Sequence, residues 1–386
     1  MKDFQFRMSA KIRFGIGISK SIADVCAEFG SKKIFVVTDS MIIKTNILES
    51  IKDSFEKANL PYEIYSDIVP DPAIEIVDAL ADVLRKSGAD LVVAVGGGSP
   101  IDAAKSICML QTNEGSVRDY LFGGDKTVTN QSMPLICIPT TAGSGSEMTA
   151  SAVITDNQNQ IKLSVTHDYL IPKIALIDPL LHVGMPGFIT ATTGIDALTH
   201  AIEAFVSLNA SLVSDAMALH AIRIIGKYLR TAVANGNDIE ARSNMAVASS
   251  MAATAFFNGG LGVVHGIAQS MGGVAHVPHG VANSLILPYA MERNVVGNLE
   301  KFKEIAVALG ENVEGISLRE AADKAPAAIL KLAQDVKIPL KLKEVGVTRE
   351  QFPDIIKGTM AYRLLAINPC KLGEKDILDI LEKAYE

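Results

Sequence analysis

Leu91-Val92-Val93-Ala94-Val95-Gly96-Gly97-Gly98-Ser99-Pro100-Ile101-Asp102-Ala103-Ala104-Lys105 is the stretch whose reading decides the fold. Its first five residues are apolar without alternation, the pattern of a strand buried on both faces. Three glycines follow, and a helical pattern opens behind them. Glycine lets a backbone come close to a ligand, and a helix start aims free N–H groups and a positive dipole end at an anion. A phosphate or pyrophosphate is the natural occupant of such a loop, because a tight turn alone needs one glycine rather than three. Neither G-x-G-x-x-G nor the P-loop pattern is present, which argues against a standard Rossmann fingerprint and against a Walker ATPase.

Outward from this stretch, strand and helix patterns alternate. Lys33 to Thr38 is a β-branched run, helical periodicity covers Ile42 to Ala58, and Tyr62 to Tyr65 is a second short strand. Pro70-Asp71-Pro72 breaks the chain before a helix running to about Leu84. Pro134 to Ile138 is another apolar run, and Ile174 to Ile177 reads as the last strand. This grammar specifies a mostly parallel sheet. Asp39 follows one strand end, where open α/β sheets place ligands; it can accept hydrogen bonds from both hydroxyls of an adenosine ribose, and taken alone it serves equally as a helix N-cap. Pro139-Thr140-Thr141-Ala142-Gly143-Ser144-Gly145-Ser146-Glu147 follows another, and its hydroxyls and glycines suit ribose and phosphate oxygens. Two such loops on one sheet favour a single extended ligand, a dinucleotide.

Beyond Met185-Pro186-Gly187 the alternation stops and the pattern turns helical to Glu386. We therefore expect an α/β dinucleotide-binding domain over residues 1–185 and an all-α domain over residues 186–386. Helices are expected at Gly187 to Ser207, Ser211 to Ala232, Ile239 to Phe256, Gly262 to Ala275, Asn298 to Leu309, Leu318 to Asp335 and Lys375 to Tyr385. A chain of 386 residues, 48% hydrophobic and 20% charged, is long enough for two such cores and too apolar for general disorder. The net charge of −7 is spread along the chain, so neither nucleic acid nor a membrane surface is expected as a partner. Cys26, Cys108, Cys137 and Cys370 form no C-x-x-C pair and read as reduced core residues. No apolar signal segment is seen at Met1 to Arg7, and a cytoplasmic location is expected.

The helical half carries Gly194-Ile195-Asp196-Ala197-Leu198-Thr199-His200, then Val264-His265-Gly266 and Pro278-His279-Gly280. Asp196 and His200 stand at i and i+4 on one helix face, among apolar residues, where a divalent ion would satisfy both. By itself an Asp and His pair of this kind is more often structural. His265 and His279 can complete a four-ligand shell. His279 reads as a turn residue, and His276 rivals it on spacing alone. Glu203 reads as a helix-surface neighbour of His200.

Together these segments resemble the iron-containing, metal-dependent (group III) alcohol dehydrogenase family, in Gly96-Gly97-Gly98-Ser99 with Asp102 and Lys105, in Pro139 to Ser144, in Gly194 to Glu203, and in Leu261 to Gly266 through Pro278-His279-Gly280. The resemblance spans nearly the whole chain. It implies the two-domain architecture shared with dehydroquinate synthase, with the active site in the cleft between the domains. It implies Asp196, His200, His265 and His279 as metal ligands, iron ahead of zinc. It places Asp39 at the adenosine ribose, Gly97, Gly98 and Ser99 at the pyrophosphate, and Asp102, Thr140, Thr141, Ser144, Thr149 and Lys162 along the cofactor, with NAD favoured over NADP. Relatives often carry a second histidine four residues after the first; here that position is Gln269, which cannot titrate and can only orient a proton path. Phe256 and Arg363 are expected at the substrate pocket, the arginine facing an anionic ω-group if the substrate has one.

The expected activity is interconversion of a short primary alcohol or diol with its aldehyde, by hydride transfer to or from NAD, in a homodimer or larger homo-oligomer. A dehydroquinate synthase-like lyase using NAD transiently is the alternative, and it would need several basic residues for a phosphorylated substrate.

Overall fold

The computed structural model describes residues 3–159 and 161–386. The chain divides into two units. One comprises residues 9–141 and 145–182; the other comprises the N-terminal residues through Met8, residues 142–144 and residues 183–386.

The first unit contains β1 (Lys11–Phe14), α1 (Ile22–Ala27), β2 (Ile34–Asp39), α2 (Glu49–Lys57), β3 (Tyr62–Ile68), α3 (Ile74–Ser87), β4 (Leu91–Gly96), α4 (Gly98–Leu110), β5 (Leu135–Pro139), β6 (Ser151–Asp156), β7 (Ile161–Thr166) and β8 (Ile174–Ile177). Six strands form a sheet in the order β1-β8-β5-β4-β2-β3, with every pairing parallel, and β6 and β7 pair separately as an antiparallel ribbon. Strand periodicity assigns the core to two faces. Phe35, Val37, Val92, Ala94, Leu135 and Cys137 pack with α3 and α4 residues such as Leu80 and Ile107, while Val36, Val93, Val95, Ile136 and Ile138 pack with Cys26, Ile51 and Phe55. Both faces are covered, which explains the unbroken apolar runs. The helix expected over Ile42 to Ala58 is shorter: two 3₁₀ turns, Ile42–Lys44 and Asn46–Leu48, precede α2. Thr45 accounts for the break, since its extended backbone and its side-chain oxygen cap the second turn.

At the end of β4, Gly96 has φ +150°, and a Cβ there would lie 2.8 Å from Pro100 Cγ and 3.2 Å from Asp39 Oδ2. Only glycine permits this turn, which brings the ends of β2 and β4 together ahead of α4. Behind it, Lys105 is fully buried. Its Nζ donates to Ser146 Oγ (2.8 Å), Thr149 Oγ1 (3.0 Å) and the Ser151 carbonyl (2.8 Å). Ser146 Oγ in turn donates to Asp102 Oδ1, and Asp102 Oδ2 accepts from Val153 N (3.1 Å). Burial raises the Asp102 carboxyl pKa and lowers that of the Lys105 ammonium, each partner opposing the shift of the other. The network ties α4 to the turn before β6 and to β6 itself.

The second unit contains α5 (Gly187–Val206), α6 (Leu212–Ala234), α7 (Ile239–Gly259), α8 (Val263–Ala275), α9 (His279–Asn294), α10 (Leu299–Ala308), α11 (Leu318–Asp335), α12 (Phe352–Met360) and α13 (Glu374–Tyr385). Every residue of α5 from Ile195 to Val206 is buried, so α5 is enclosed on all sides and central to the unit. Two of these helices, α9 and α12, fall outside the segments expected from sequence. In α9, Gly280 and the internal Pro288 read as breakers, yet Gly280 lies in the first turn and the helix continues through Pro288. Among the described residues no single helix is long and apolar enough to cross a membrane.

Replacing Lys105 by Met leaves the half-buried Asp102 carboxylate without its cation and is expected to cost about 1–3 kcal/mol. Asp102→Asn with Lys105→Met removes both charges and should recover much of that loss. Urea unfolding of the two variants measures the difference, and equal destabilisation of both would show that the two charges are not coupled.

Candidate metal centre and nucleotide loops

The helical unit builds one cluster from three helices. Asp196 and Glu203 come from α5, His265 from the first turn of α8, and His279 and Asn283 from the first two turns of α9. The opening N–H groups of α8 need acceptors. Asn368 Oδ1 accepts from Val263 N (3.2 Å), and Glu203 Oε1 accepts from Val264 N (2.7 Å). The other oxygen, Glu203 Oε2, lies 2.5 Å from His265 Nδ1. A carboxylate only accepts, so Nδ1 carries the proton and His265 Nε2 keeps its lone pair for the cluster. Gly262 makes room for this contact: a Cβ there would lie 2.7 Å from Asn368 Oδ1 and 3.0 Å from Glu203 Oε1.

Ligand atoms of Asp196, His265 and His279 lie within 4.8 Å of one another. Asp196 Oδ1 is 3.8 Å from His279 Nε2. The Asn283 amide points into the same space, its Nδ2 2.6 Å from Asp196 Oδ1, 3.2 Å from His265 Nε2 and 3.1 Å from His279 Nε2. Burial alone would raise the Asp196 carboxyl pKa; the three imidazoles and the Asn283 amide outweigh it and hold the group below its usual range. Asp196 is therefore an anion at neutral pH.

His200, the fourth ligand the sequence sets here, adjoins these three. Its ring lies face to face with His265 (centroids 4.7 Å apart, 18°) and with Phe256 (4.4 Å, 28°), outside the converging three. Burial drives the His200 pKa down to about 3, with Asp196 and the Gly143 backbone pulling the other way, so the ring is neutral. One carboxylate, two imidazole nitrogens and an adjacent neutral imidazole are the donor set of a divalent transition-metal site. These residues fit such an ion.

His279 is not in a turn: it is the first residue of α9. His276 is the left-handed C-cap of α8 (φ 54°) and lies outside the cluster. Glu203 is likewise not a surface neighbour of His200 but a buried partner of His265. Its signal was present in the sequence, since Asp196, His200 and Glu203 stand at i, i+4 and i+7. Asn283, four residues after His279 on α9, was hidden with its helix. Gln269 lies one turn beyond His265 on α8 and is half-buried, Phe256 contacts the His200 ring, and Arg363 is exposed at the start of a 3₁₀ turn.

In the α/β unit, Asp39 takes the capping role that was one of its two readings. Oδ1 caps the next turn, accepting from Met41 N (2.8 Å) and Ile42 N (2.9 Å), while Oδ2 lies beside Gly96. Gly97 precedes α4 as an extended N-cap without a side chain, Gly98 and Ser99 form its first turn, and Gly97 approaches Thr141 so closely that a Cβ would come within 3.3 Å of Oγ1. Thr140 N donates to the Gly96 carbonyl (3.0 Å), joining the two loops. Ser99 Oγ accepts from Asp71 N (3.2 Å), and Lys162 Nζ pairs with Asp71 Oδ1 (2.7 Å). Ser144 falls in the short segment grouped with the helical unit. Asp102 and Thr149 both belong to the Lys105 network beneath the loop. Their charge and hydroxyl are satisfied internally.

Glu203→Gln replaces one acceptor oxygen by a donor that faces either Val264 N–H or the His265 Nδ1 proton. It is expected to lower divalent-ion affinity about 10–100-fold with the fold retained. Zn²⁺ titration with circular dichroism checks both, and unchanged affinity would exclude an orienting role for Glu203.

Two family models match the chain: "Iron-containing alcohol dehydrogenase" over residues 9–179 and "Fe-containing alcohol dehydrogenase family, C-terminal" over residues 190–385. The chain is 39% identical over 375 residues to 1,3-propanediol dehydrogenase of Klebsiella pneumoniae, covering 96% of each. It is 39% identical over 370 residues to NAD-dependent methanol dehydrogenase of Bacillus methanolicus, covering 96% of this chain and 97% of the relative. The solved structure of a 1,3-propanediol oxidoreductase matches with a TM-score of 0.96 at 37% identity over 100% of both chains. A parallel α/β unit carrying glycine loops, a helical unit carrying a carboxylate–imidazole cluster, and matches across both halves lead to one conclusion: the chain belongs to the iron-containing alcohol dehydrogenase family and is an alcohol–aldehyde oxidoreductase.

Proposed function

We propose that the protein interconverts a short primary alcohol or diol and its aldehyde with NAD(H), using one divalent ion, iron ahead of zinc, held by Asp196, His265 and His279 with His200 adjoining. The observation that carries the reading is the convergence of three ligand atoms from three helices, with Glu203 fixing the tautomer of His265. The ion supplies Lewis-acid polarisation of the alcohol or aldehyde oxygen. The chain supplies the rest. Phe256, packed on His200, gives the neighbourhood an apolar wall that suits a short carbon chain. Asp39 presents a carboxylate beside the Gly96 turn, which favours a ribose diol and repels a 2′-phosphate, and supports NAD over NADP. NAD also appears in the name of the methanol dehydrogenase relative.

An NADH-coupled screen of short alcohols, diols and ω-substituted aldehydes tests the reading. Turnover is expected with NAD⁺ and a short diol, lost on chelation and restored by Fe²⁺ or Zn²⁺. Turnover of a phosphorylated cyclic substrate without net NADH would favour the lyase alternative instead.

Gln269 cannot accept a proton at any working pH, so it is placed as an orienting residue near His265. Gln269→Ala is expected to reduce kcat by about tenfold or less, the range below that of a general acid or base, with an unaltered pH profile. A loss as deep as that of Asp196→Ala would assign the side chain a direct part in the chemical step.

A further inference from the structure

The Asn283 side chain is fully buried, and its surroundings are one-sided. Its Nδ2 faces Asp196 Oδ1 (2.6 Å), His279 Nε2 (3.1 Å) and His265 Nε2 (3.2 Å), while its Oδ1 is buried with no hydrogen-bond partner. The orientation is chemically determined. Asp196 is an anionic acceptor, and His265 Nε2 is an acceptor because Nδ1 is committed to Glu203, so an oxygen turned into this space would meet lone pairs. The amide has two hydrogens for these two acceptors, and His279 Nε2 lies within reach of the same nitrogen. It therefore acts as a partial stand-in for a cation, drawing on the same lone pairs that ligate one. Each imidazole nitrogen has a single lone pair and cannot serve the amide and an ion together.

We propose that the Asn283 carboxamide is a built-in competitor for the metal ion, holding Asp196, His265 and His279 together in the ion-free chain and yielding those acceptors when an ion enters. Asn283 then sets how tightly the ion is held without being a ligand. The unpartnered Oδ1 fits this role, because no other hydrogen bond resists rotation of the amide. The inference rests on the metal-site reading above.

The test uses the full chain stripped with chelator, as wild type, Asn283→Leu (similar volume, no donor) and Asn283→Ala. Zn²⁺ affinity is measured by competition with a chromophoric chelator, and melting temperature with and without Zn²⁺. For Asn283→Leu, binding about tenfold tighter is expected from removal of one charge-assisted competing hydrogen bond. The melting temperature of its stripped form should fall by about 2–4 °C, with the Zn²⁺-loaded form close to wild type. Asn283→Ala should also bind more tightly even if its cavity lowers both melting temperatures. Weaker or unchanged binding by folded variants, with wild type taking up one ion per chain, would overturn the competitor role and leave the metal site standing. A wild type that binds no ion, behaving like Asp196→Ala, would overturn the site reading and this inference together.

Discussion

The contact between Glu203 and His265 is the constraint on which the helical unit's site depends. One buried carboxylate satisfies an opening N–H of α8 with one oxygen and takes the His265 Nδ1 proton contact with the other. A negative charge at a helix N-terminus is favoured by the dipole, so the group that fixes the imidazole also stabilises the helix bearing it. A site whose ligand tautomer is tied to a helix cap cannot drift independently of the scaffold. Glutamine could fill the volume of Glu203, but no amide accepts from both donors at once.

Close packing makes that contact possible. α5 is buried on every side along the stretch that carries Asp196, His200 and Glu203, so those polar side chains have no solvent to fall back on. Each is answered by another element: Asp196 by Asn283, Glu203 by α8, His200 by the faces of His265 and Phe256. The exception is Asn283 Oδ1, which is buried without a hydrogen-bond partner at the centre of the cluster. A buried polar atom left unsatisfied calls for an explanation, and a site built for something besides protein supplies one.

Much of the fold could be read directly from the residues. The strands over Ile34, Leu91, Leu135 and Ile174 are apolar because both sheet faces are covered, and an unbroken apolar run leaves little ambiguity. The β6–β7 ribbon was not legible, because its outward residues mix polar and apolar types and β6 is anchored by Asp102 and Lys105 from α4. α9 was obscured by local signals, Gly280 and Pro288, that tertiary packing overrides. With α9 went the setting of His279 and the presence of Asn283. In the site, residue identities were legible from spacing, while relations among them were not: i and i+4 spacing brings His200 near Asp196, but only packing decides that its ring lies between the faces of His265 and Phe256.

Exposure separates a catalytic from a purely structural use of this cluster. The side chains of His265 and Asp196 are 5% and 8% exposed, whereas that of His279 is 42% exposed. A structural ion is enclosed by its full ligand set, commonly with thiolates, whereas a catalytic ion keeps one side open. Here the cysteines lie elsewhere, the donors are oxygen and nitrogen, and the cluster is covered on the α5 and α8 sides and accessible on the α9 side. The hard-to-intermediate donor set suits iron and zinc alike, so selectivity between them falls to geometry and supply rather than to ligand type. An ion held here would have its accessible side beside His279, while Glu203 would keep the His265 ring fixed.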